Sequence, residues 1–100
     1  MRSEYVARFN EGVRTGDWSP MLELLDDDCE LEFVGIPVGP FAGRDAIAAA
    51  YVAQPPDDEI VLLAGGSAYA WAREPEVRAG ELLLAELDGR IAKITVVYER

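Results

Sequence analysis

Histidine is absent from this sequence of 100 residues, and cysteine occurs once, as Cys29. An intramolecular disulfide is therefore excluded, and so are nucleophile–histidine pairs and metal sites built on histidine. Basic residues are scarce as well, because 9 lysines and arginines stand against 19 aspartates and glutamates, which gives a net charge of -10. Such a charge repels phosphate groups and anionic lipids, so we expect neither nucleic-acid nor membrane partners.

Long apolar runs are also missing. The N-terminal residues MRSEYVARFN carry charges where a signal peptide has an apolar segment, and no later stretch is long enough to cross a bilayer, so we expect a cytoplasmic protein. With 50% hydrophobic and 28% charged residues, the sequence predicts one domain spanning residues 1–100. The consecutive carboxylates of residues 26–28 diverge from one another, so we interpret them as a solvated turn and expect no metal or cofactor.

Three helices are predicted in the first half of the chain. The first begins with Ser3 as its N-cap and ends at Gly16, and the second begins at Asp17. Their buried faces would be formed by Tyr5, Val6, Phe9 and Val13, and by Trp18, Met21, Leu22 and Leu25. A third helix is predicted over residues 44–53, where Ile47 and Tyr51 lie one turn apart.

Strands are predicted in most of the remaining sequence. Cys29, Leu31 and Phe33 alternate with glutamates, which indicates a half-buried strand. Four further strands are predicted in the runs EIVLLA, SAYAWAR, VRAGELLLAEL and RIAKITVVY, which are joined by short turns. Helices followed by antiparallel strands are typical of an α+β domain whose helices cover one face of a curved sheet.

Turn residues between these strands predict which residues face each other. Asp-Gly at residues 88–89 is a strong hairpin signal, and Gly-Gly at residues 65–66 indicates a second two-residue turn. For the Asp-Gly hairpin the expected pairs are Leu87 with Arg90, Leu83 with Ile94, and Glu81 with Val96. The Gly-Gly turn is expected to pair Leu62 with Tyr69. A further turn centred on Pro75 is expected to pair Tyr69 with Glu81.

The order of these elements resembles a known superfamily. The segments are YVARFNEGVRTGDW followed by LELLDDDCELEF, then GPFAGRDAIAAAY, and then the hairpins ending in ELDGRIAKITVVYER. Together they look like the nuclear transport factor 2-like superfamily, in its SnoaL-like and ketosteroid isomerase-like branch, over nearly the whole chain. The resemblance implies a cone-shaped α+β barrel of the cystatin-like type, with a pocket between three helices and the concave face of a curved antiparallel sheet. The glycine- and proline-rich part of residues 33–51 would cross the rim of the cone.

The resemblance also identifies the positions of the best-known chemistry in the superfamily. Ketosteroid isomerases use a carboxylate base together with an oxyanion hole made by a tyrosine and a protonated aspartate. In this sequence Phe33 stands at the position of the base, Phe9 at that of the tyrosine and Leu83 at that of the aspartate. All three are apolar, so we expect no steroid isomerase activity, and the shared fold does not by itself define another activity.

The predicted pairing brings one set of side chains together on the concave face. Its apolar and aromatic members are Phe9, Leu31, Phe33, Ile60, Leu62, Tyr69, Trp71, Leu83, Ile94, Val96 and Tyr98. Glu81 would be the single charge among them, where loss of solvation would raise its pKa and let it act as a general acid or base beside Tyr69 or Tyr98. In the alternative interpretation, Glu81 lies in water at the mouth of the cone or pairs with Arg73.

Two hypotheses about function follow. In the first, the pocket binds, or binds and transforms, a small hydrophobic molecule; an enzyme of this kind would be a cofactor-independent isomerase, cyclase, hydratase or dehydratase that uses Glu81. In the second, the protein is a non-catalytic homodimeric binding or structural module whose cone is filled by side chains. A homodimer is expected because the other sheet face is smooth and apolar. This outer face would consist of Ala68, Ala70, Ala72, Leu82, Leu84, Thr95 and Val97.

Overall fold

The structure is a computed structural model that describes residues 1–99. Its helices are α1 (Arg2–Thr15), α2 (Ser19–Leu22) and α3 (Arg44–Ala53). Its strands are β1 (Leu25–Val34), β2 (Phe41–Ala42), β3 (Ile60–Leu62), β4 (Ala68–Trp71), β5 (Gly80–Leu87) and β6 (Arg90–Tyr98). None of the helices within residues 1–99 has the length and apolar character needed to span a membrane.

The strands form one curved, open sheet in the order β2-β1-β6-β5-β4-β3. All neighbours are antiparallel except β1 and β6, which pair in parallel. The helices lie on the concave side, where α1 contacts α2 and β3 while α3 contacts β1. This arrangement confirms the predicted α+β cone, although the parallel pair in its centre and the short strand β2 were not predicted.

The helix boundaries follow the predictions in part. Gly16 ends α1 in the left-handed conformation with φ 79°, and α3 has the predicted bounds. Ser3 lies inside α1, which begins one residue earlier, so its role as N-cap was predicted wrongly. The second helix is a single turn, because the chain enters β1 at Leu25 and continues as a strand through the acidic residues 26–28, which were predicted to form a turn.

Side-chain contacts fix α1 against the start of α2 and against β3. The ring of Trp18 packs so closely on Gly12 that a Cβ atom at that glycine would overlap it. On the same helix, the Asn10 amide nitrogen donates to the carbonyl oxygen of Ile60 at 2.9 Å. The Ile60 N–H donates in turn to the Asn10 side-chain oxygen at 2.7 Å, so Asn10 satisfies both backbone groups of this edge-strand residue.

The register of β5 differs from the predicted one. The pairs Leu87–Arg90 and Leu62–Tyr69 are confirmed. Further along the hairpin, Glu86 lies opposite Ile91 but Ala85 lies opposite Lys93, so Ala92 is an extra residue on β6 and forms a β-bulge. The pairs beyond it are Leu84 with Ile94, Leu82 with Val96, and Glu81 with Val97, while Gly80 rather than Glu81 faces Tyr69.

A shift of one residue exchanges the two faces of a strand. Leu82 and Leu84 therefore lie on the concave side, where Leu82 is buried and Leu84 packs against the core. Glu81 and Leu83 lie on the outer face instead. The predictions for these four residues were wrong for the same reason, because a turn sequence cannot reveal a bulge several residues away.

Candidate functional site

A cavity of about 810 Å³ lies between the concave face of the sheet and the helices. Buried or half-buried apolar and aromatic side chains form most of its wall. They are Tyr5, Phe9, Phe33, Ile36, Phe41, Ala50, Tyr51, Ile60, Tyr69, Trp71, Leu82, Val96 and Tyr98. Exposed side chains at the rim include Val38, Gln54, Asp57, Arg73 and Glu74.

The structure brings together many of the residues that the sequence placed in the pocket. Phe9, Phe33, Ile60, Tyr69, Trp71, Val96 and Tyr98 all line the cavity. Leu31 and Ile94 are fully buried in the core but do not reach the cavity wall. Leu62 lies beside the N-terminus of α1, where it lines a separate shallow depression, and Leu83 is 43% exposed on the outer face.

Glu81 lies outside the cavity, so its predicted position as the charged group of the pocket is wrong. Its side chain is 38% exposed, with Arg78 Nη2 at 4.0 Å. The Ser67 hydroxyl donates to Glu81 Oε1 at 2.6 Å. The alternative partner Arg73 is also wrong, because Arg73 pairs with residues 57 and 58 at the cavity rim. Glu81 is therefore not positioned to act as a desolvated carboxylate on a ligand in the cavity.

A continuous row of aromatic rings crosses the sheet side of the cavity. The ring centroids of Phe33 and Tyr98 are 6.4 Å apart, and those of Tyr98 and Trp71 are 6.5 Å apart. Trp71 in turn meets Tyr69 edge to face at 5.5 Å. Alternation along β1, β4 and β6 points these rings to one side, and their mutual packing fixes the shape of the wall.

Four tyrosine residues, Tyr5, Tyr51, Tyr69 and Tyr98, line the cavity. Burial raises the pKa of Tyr5 and Tyr69 well above the ordinary value, that of Tyr51 to about 12, and that of Tyr98 to a smaller degree. All four phenols are therefore neutral at physiological pH and can donate hydrogen bonds. The hydroxyl of Tyr69 is buried and makes no hydrogen bond of normal geometry among residues 1–99, although the neighbouring Tyr98 hydroxyl interacts with it and adds to the rise that burial causes in the pKa of Tyr69.

Charged groups occur only at the rim of the described cavity. Arg73 links two carboxylates there, with Nη2 at 3.1 Å from Asp57 Oδ1 and Nε at 3.1 Å from Asp58 Oδ2. Partial burial opposes ionisation of Asp58, but hydrogen bonds from Arg73 and the Glu59 N–H outweigh it and lower the pKa of Asp58. With Glu74 included, the rim has three carboxylates and one guanidinium, so it carries a net negative charge.

Several wall residues were missed by the sequence analysis. Tyr5 and Tyr51 were predicted only as buried helix positions, because helical periodicity does not distinguish a core from a cavity wall. Leu82 was missed because of the bulge at Ala92. Among the rim residues, Val38 lies between β1 and β2, in the segment predicted to cross the rim. The others belong to the loops after α3 and β4, whose path across the mouth of the cone has no local sequence signal.

Comparison with known proteins adds information about the fold. No protein-family model matches the sequence, and no curated protein matches it significantly. A provisionally assigned isomerase from Rhodopseudomonas palustris superposes with a TM-score of 0.68 and 13% identity, covering 98% of this chain and 88% of its own. A nuclear transport factor 2-like protein of unknown function from Mesorhizobium loti gives a TM-score of 0.62 at 24% identity, covering 100% of this chain and 95% of its own. A provisionally assigned ketosteroid isomerase from Kribbella flavida superposes with a TM-score of 0.63 at 19% identity, covering 99% of this chain and 78% of its own.

This chain has the nuclear transport factor 2-like fold. The resemblance noted in the sequence is thus confirmed at the level of the fold. Each of the six strands contributes at least one side chain to the sheet wall of the cavity, and α1 and α3 supply the opposite wall. The fold accounts for the position of the cavity, whereas the chemistry of the wall depends on the residues of this chain.

Proposed function

We propose that this nuclear transport factor 2-like domain binds a small, predominantly apolar molecule in the cavity between its sheet and its helices. The observation that carries the proposal is a cavity of about 810 Å³ whose wall is mainly aromatic and aliphatic. Ligand sites in proteins are typically concave and apolar, with volumes of roughly 300–1,000 Å³ and a few polar groups that orient the ligand. Burial of apolar ligand surface would supply most of the binding free energy.

Binding without proton transfer between carbon atoms is the function that the wall chemistry favours. Phe33 and Phe9, which occupy the positions that we compared with the base and the tyrosine of the isomerases, both line the cavity. The β5 residue that lines the cavity is Leu82, so β5 supplies no carboxyl group there either. The raised pKa values leave the tyrosines poor bases near neutral pH, and Asp58 is held ionised by Arg73. These features support a binding protein that lacks the ketosteroid isomerase residues.

The alternative of a cone filled by side chains is less well supported. The large aromatic residues do pack against one another, as that alternative requires, but they do so around the cavity and not across it. The homodimer expected in both hypotheses remains part of the proposal. Val34 and Leu83 are 44% and 43% exposed, and Thr95 and Val97 share their side of the sheet. A second copy packed on this outer face would cover these apolar groups.

Titration with the uncharged solvatochromic dye Nile red tests the proposed function. We compare the native protein with Val96→Phe, which adds a ring inside the cavity, and with Val97→Phe, which adds the same ring on the outer face. Saturable binding is expected in the native protein and in Val97→Phe, with at least about tenfold weaker binding in Val96→Phe because the ring occupies ligand volume. Equal affinities in all three proteins, or no saturable binding in the native protein, would disprove the proposal.

A further inference from the structure

We propose that the ligand presents an uncharged hydrogen-bond acceptor oxygen, such as a carbonyl or ether oxygen, to the paired hydroxyls of Tyr69 and Tyr98. The inference rests on the proposed function and deepens it, because it specifies the polar group of the ligand and the place where that group binds. It assigns recognition to β4 and β6, and not to the residue positions that the isomerases use.

The first observation is the unsatisfied hydroxyl of Tyr69. The residue is only 1% exposed, yet its side chain lines the cavity, and its hydroxyl makes no hydrogen bond of normal geometry among the described residues although the Tyr98 hydroxyl is close by. Buried polar side-chain atoms in native proteins are nearly always hydrogen-bonded, and each exception requires an explanation. Because the surrounding wall is apolar, a polar atom of a ligand in the cavity would be the hydrogen-bond partner of the Tyr69 hydroxyl.

The second observation is the position of Tyr98 beside Tyr69. Both phenols line the cavity, and the register brings them to the same level of the sheet, because Tyr69 and Tyr98 both lie opposite Gly80 from either side of β5. The two side chains also influence each other's pKa. The ring of Tyr98 is packed between those of Phe33 and Trp71, so its hydroxyl is held in a defined direction. A carbonyl or ether oxygen has two lone pairs and can accept one hydrogen bond from each phenol. The pair therefore fits a single acceptor oxygen better than either hydroxyl would alone.

The third observation concerns charge. Arg73 is the one cation among the described lining residues, and it is already engaged with Asp57 and Asp58 at the rim. An anionic ligand group would thus enter past a negatively charged rim and reach an aromatic wall without a cation to pair with. Burial of an unpaired charge in such surroundings is costly, and the whole chain carries a net charge of -10. The site accordingly selects an uncharged acceptor over a carboxylate.

Three probes built on the same bicyclic ring system test this inference: tetralin, tetralone and tetralin carboxylate. Dissociation constants are measured by ligand-observed NMR titration for the native protein, Tyr69→Phe, Tyr98→Phe and the control Tyr51→Phe on the opposite wall. In the native protein, tetralone is expected to bind about tenfold more tightly than tetralin, and the carboxylate more weakly than tetralone. The preference for tetralone should disappear in Tyr69→Phe, decrease in Tyr98→Phe and persist in Tyr51→Phe.

The outcomes separate this inference from the proposed function. Binding of tetralin and tetralone with equal affinity to the native protein would overturn the inference while leaving an apolar binding site. Retention of the tetralone preference in Tyr69→Phe, or tightest binding of the carboxylate, would overturn it as well. If none of the three probes binds the native protein, the proposed function itself is wrong and the inference falls with it. Because Tyr69→Phe removes one oxygen and keeps the buried ring, circular dichroism should show a folded variant.

Discussion

Glu81 of β5 lies opposite Val97 of β6, one residue beyond the partner that the Asp-Gly turn alone would assign to it. The bulge at Ala92 produces this offset and determines which side chains reach the cavity. It places Leu82 on the cavity wall and leaves Glu81 on the outer face. The polarity of the cavity therefore depends on Ala92, which does not itself line the cavity.

Deletion of Ala92 is expected to destabilise the domain severely. Without the extra residue, either the hairpin turn or the rest of β6 must shift, and a shift of β6 would turn Val96 and Tyr98 away from the cavity. We expect a loss of at least about 3 kcal/mol in the free energy of unfolding, measured by urea denaturation. Ala92→Ser retains the chain length and serves as the control, with a loss of less than about 1 kcal/mol expected. A deletion variant of native stability would contradict this account of the bulge.

Substitution Gly12→Ala should destabilise the protein even though alanine is the better helix former. Alanine gains roughly 1 kcal/mol in helix propensity over glycine. Its methyl group would overlap the Trp18 ring, and overpacking of this kind costs about 1–3 kcal/mol. Thermal unfolding of a double-mutant cycle with Trp18→Leu checks the cause, because Gly12→Ala should become neutral or stabilising once the ring is removed. The same loss in both backgrounds would show that the contact is not responsible.

The ion pairs at the rim should give a defined pH dependence. Asp58 has a lowered pKa in the folded protein, so its contribution to stability is complete above its unfolded pKa of roughly 4 and is lost as pH falls through the lower folded value. Asp58→Asn should therefore lower the melting temperature at neutral pH, with the difference from the native protein disappearing in strong acid. Asp57→Asn is the matched comparison and should have a smaller effect, since the Asp57 side chain is 87% exposed. A pH-independent effect of Asp58→Asn would refute the assignment.

Self-association through the outer face predicts a charge-sensitive dimer. Leu83→Lys would place an ammonium group among the exposed apolar side chains of that face and should convert the protein to a monomer in light scattering coupled to gel filtration. Val52→Lys provides the control, because Val52 is an exposed apolar residue of α3 away from the sheet and should leave the dimer intact. A monomeric native protein, or a dimer that survives Leu83→Lys, would contradict the proposed interface.

Local sequence signals predicted those parts of the fold that depend on neighbouring residues. Gly16 ended a helix, residues 44–53 formed another, and Asp-Gly at residues 88–89 formed a hairpin, because each depends on backbone preferences within one or two turns of chain. The parallel pairing of β1 with β6 was missed because it joins residues more than fifty positions apart. The brevity of α2 also escaped prediction, since tertiary packing draws Leu25 into a strand.

Predictions for the site were right where the strand pairing was regular and wrong where it contained the bulge. Tyr69, Trp71 and Ile60 were placed on one face because the Gly-Gly turn gave their register without an irregularity. Glu81 and Leu83 were placed on the wrong face by a single residue, although both strands of their hairpin had been identified. A candidate site deduced from strand alternation is thus only as accurate as the pairing that precedes it.

The two edges of the sheet are its shortest strands, with 2 residues in β2 and 3 in β3. At the second of these edges, Asn10 occupies both backbone groups of Ile60. An incoming strand from another copy would find few free donors and acceptors with which to extend the sheet, so edge-to-edge growth into larger aggregates is disfavoured. The short strands and the Asn10 side chain thereby protect the backbone of the sheet edges, which is a property of the monomer alone.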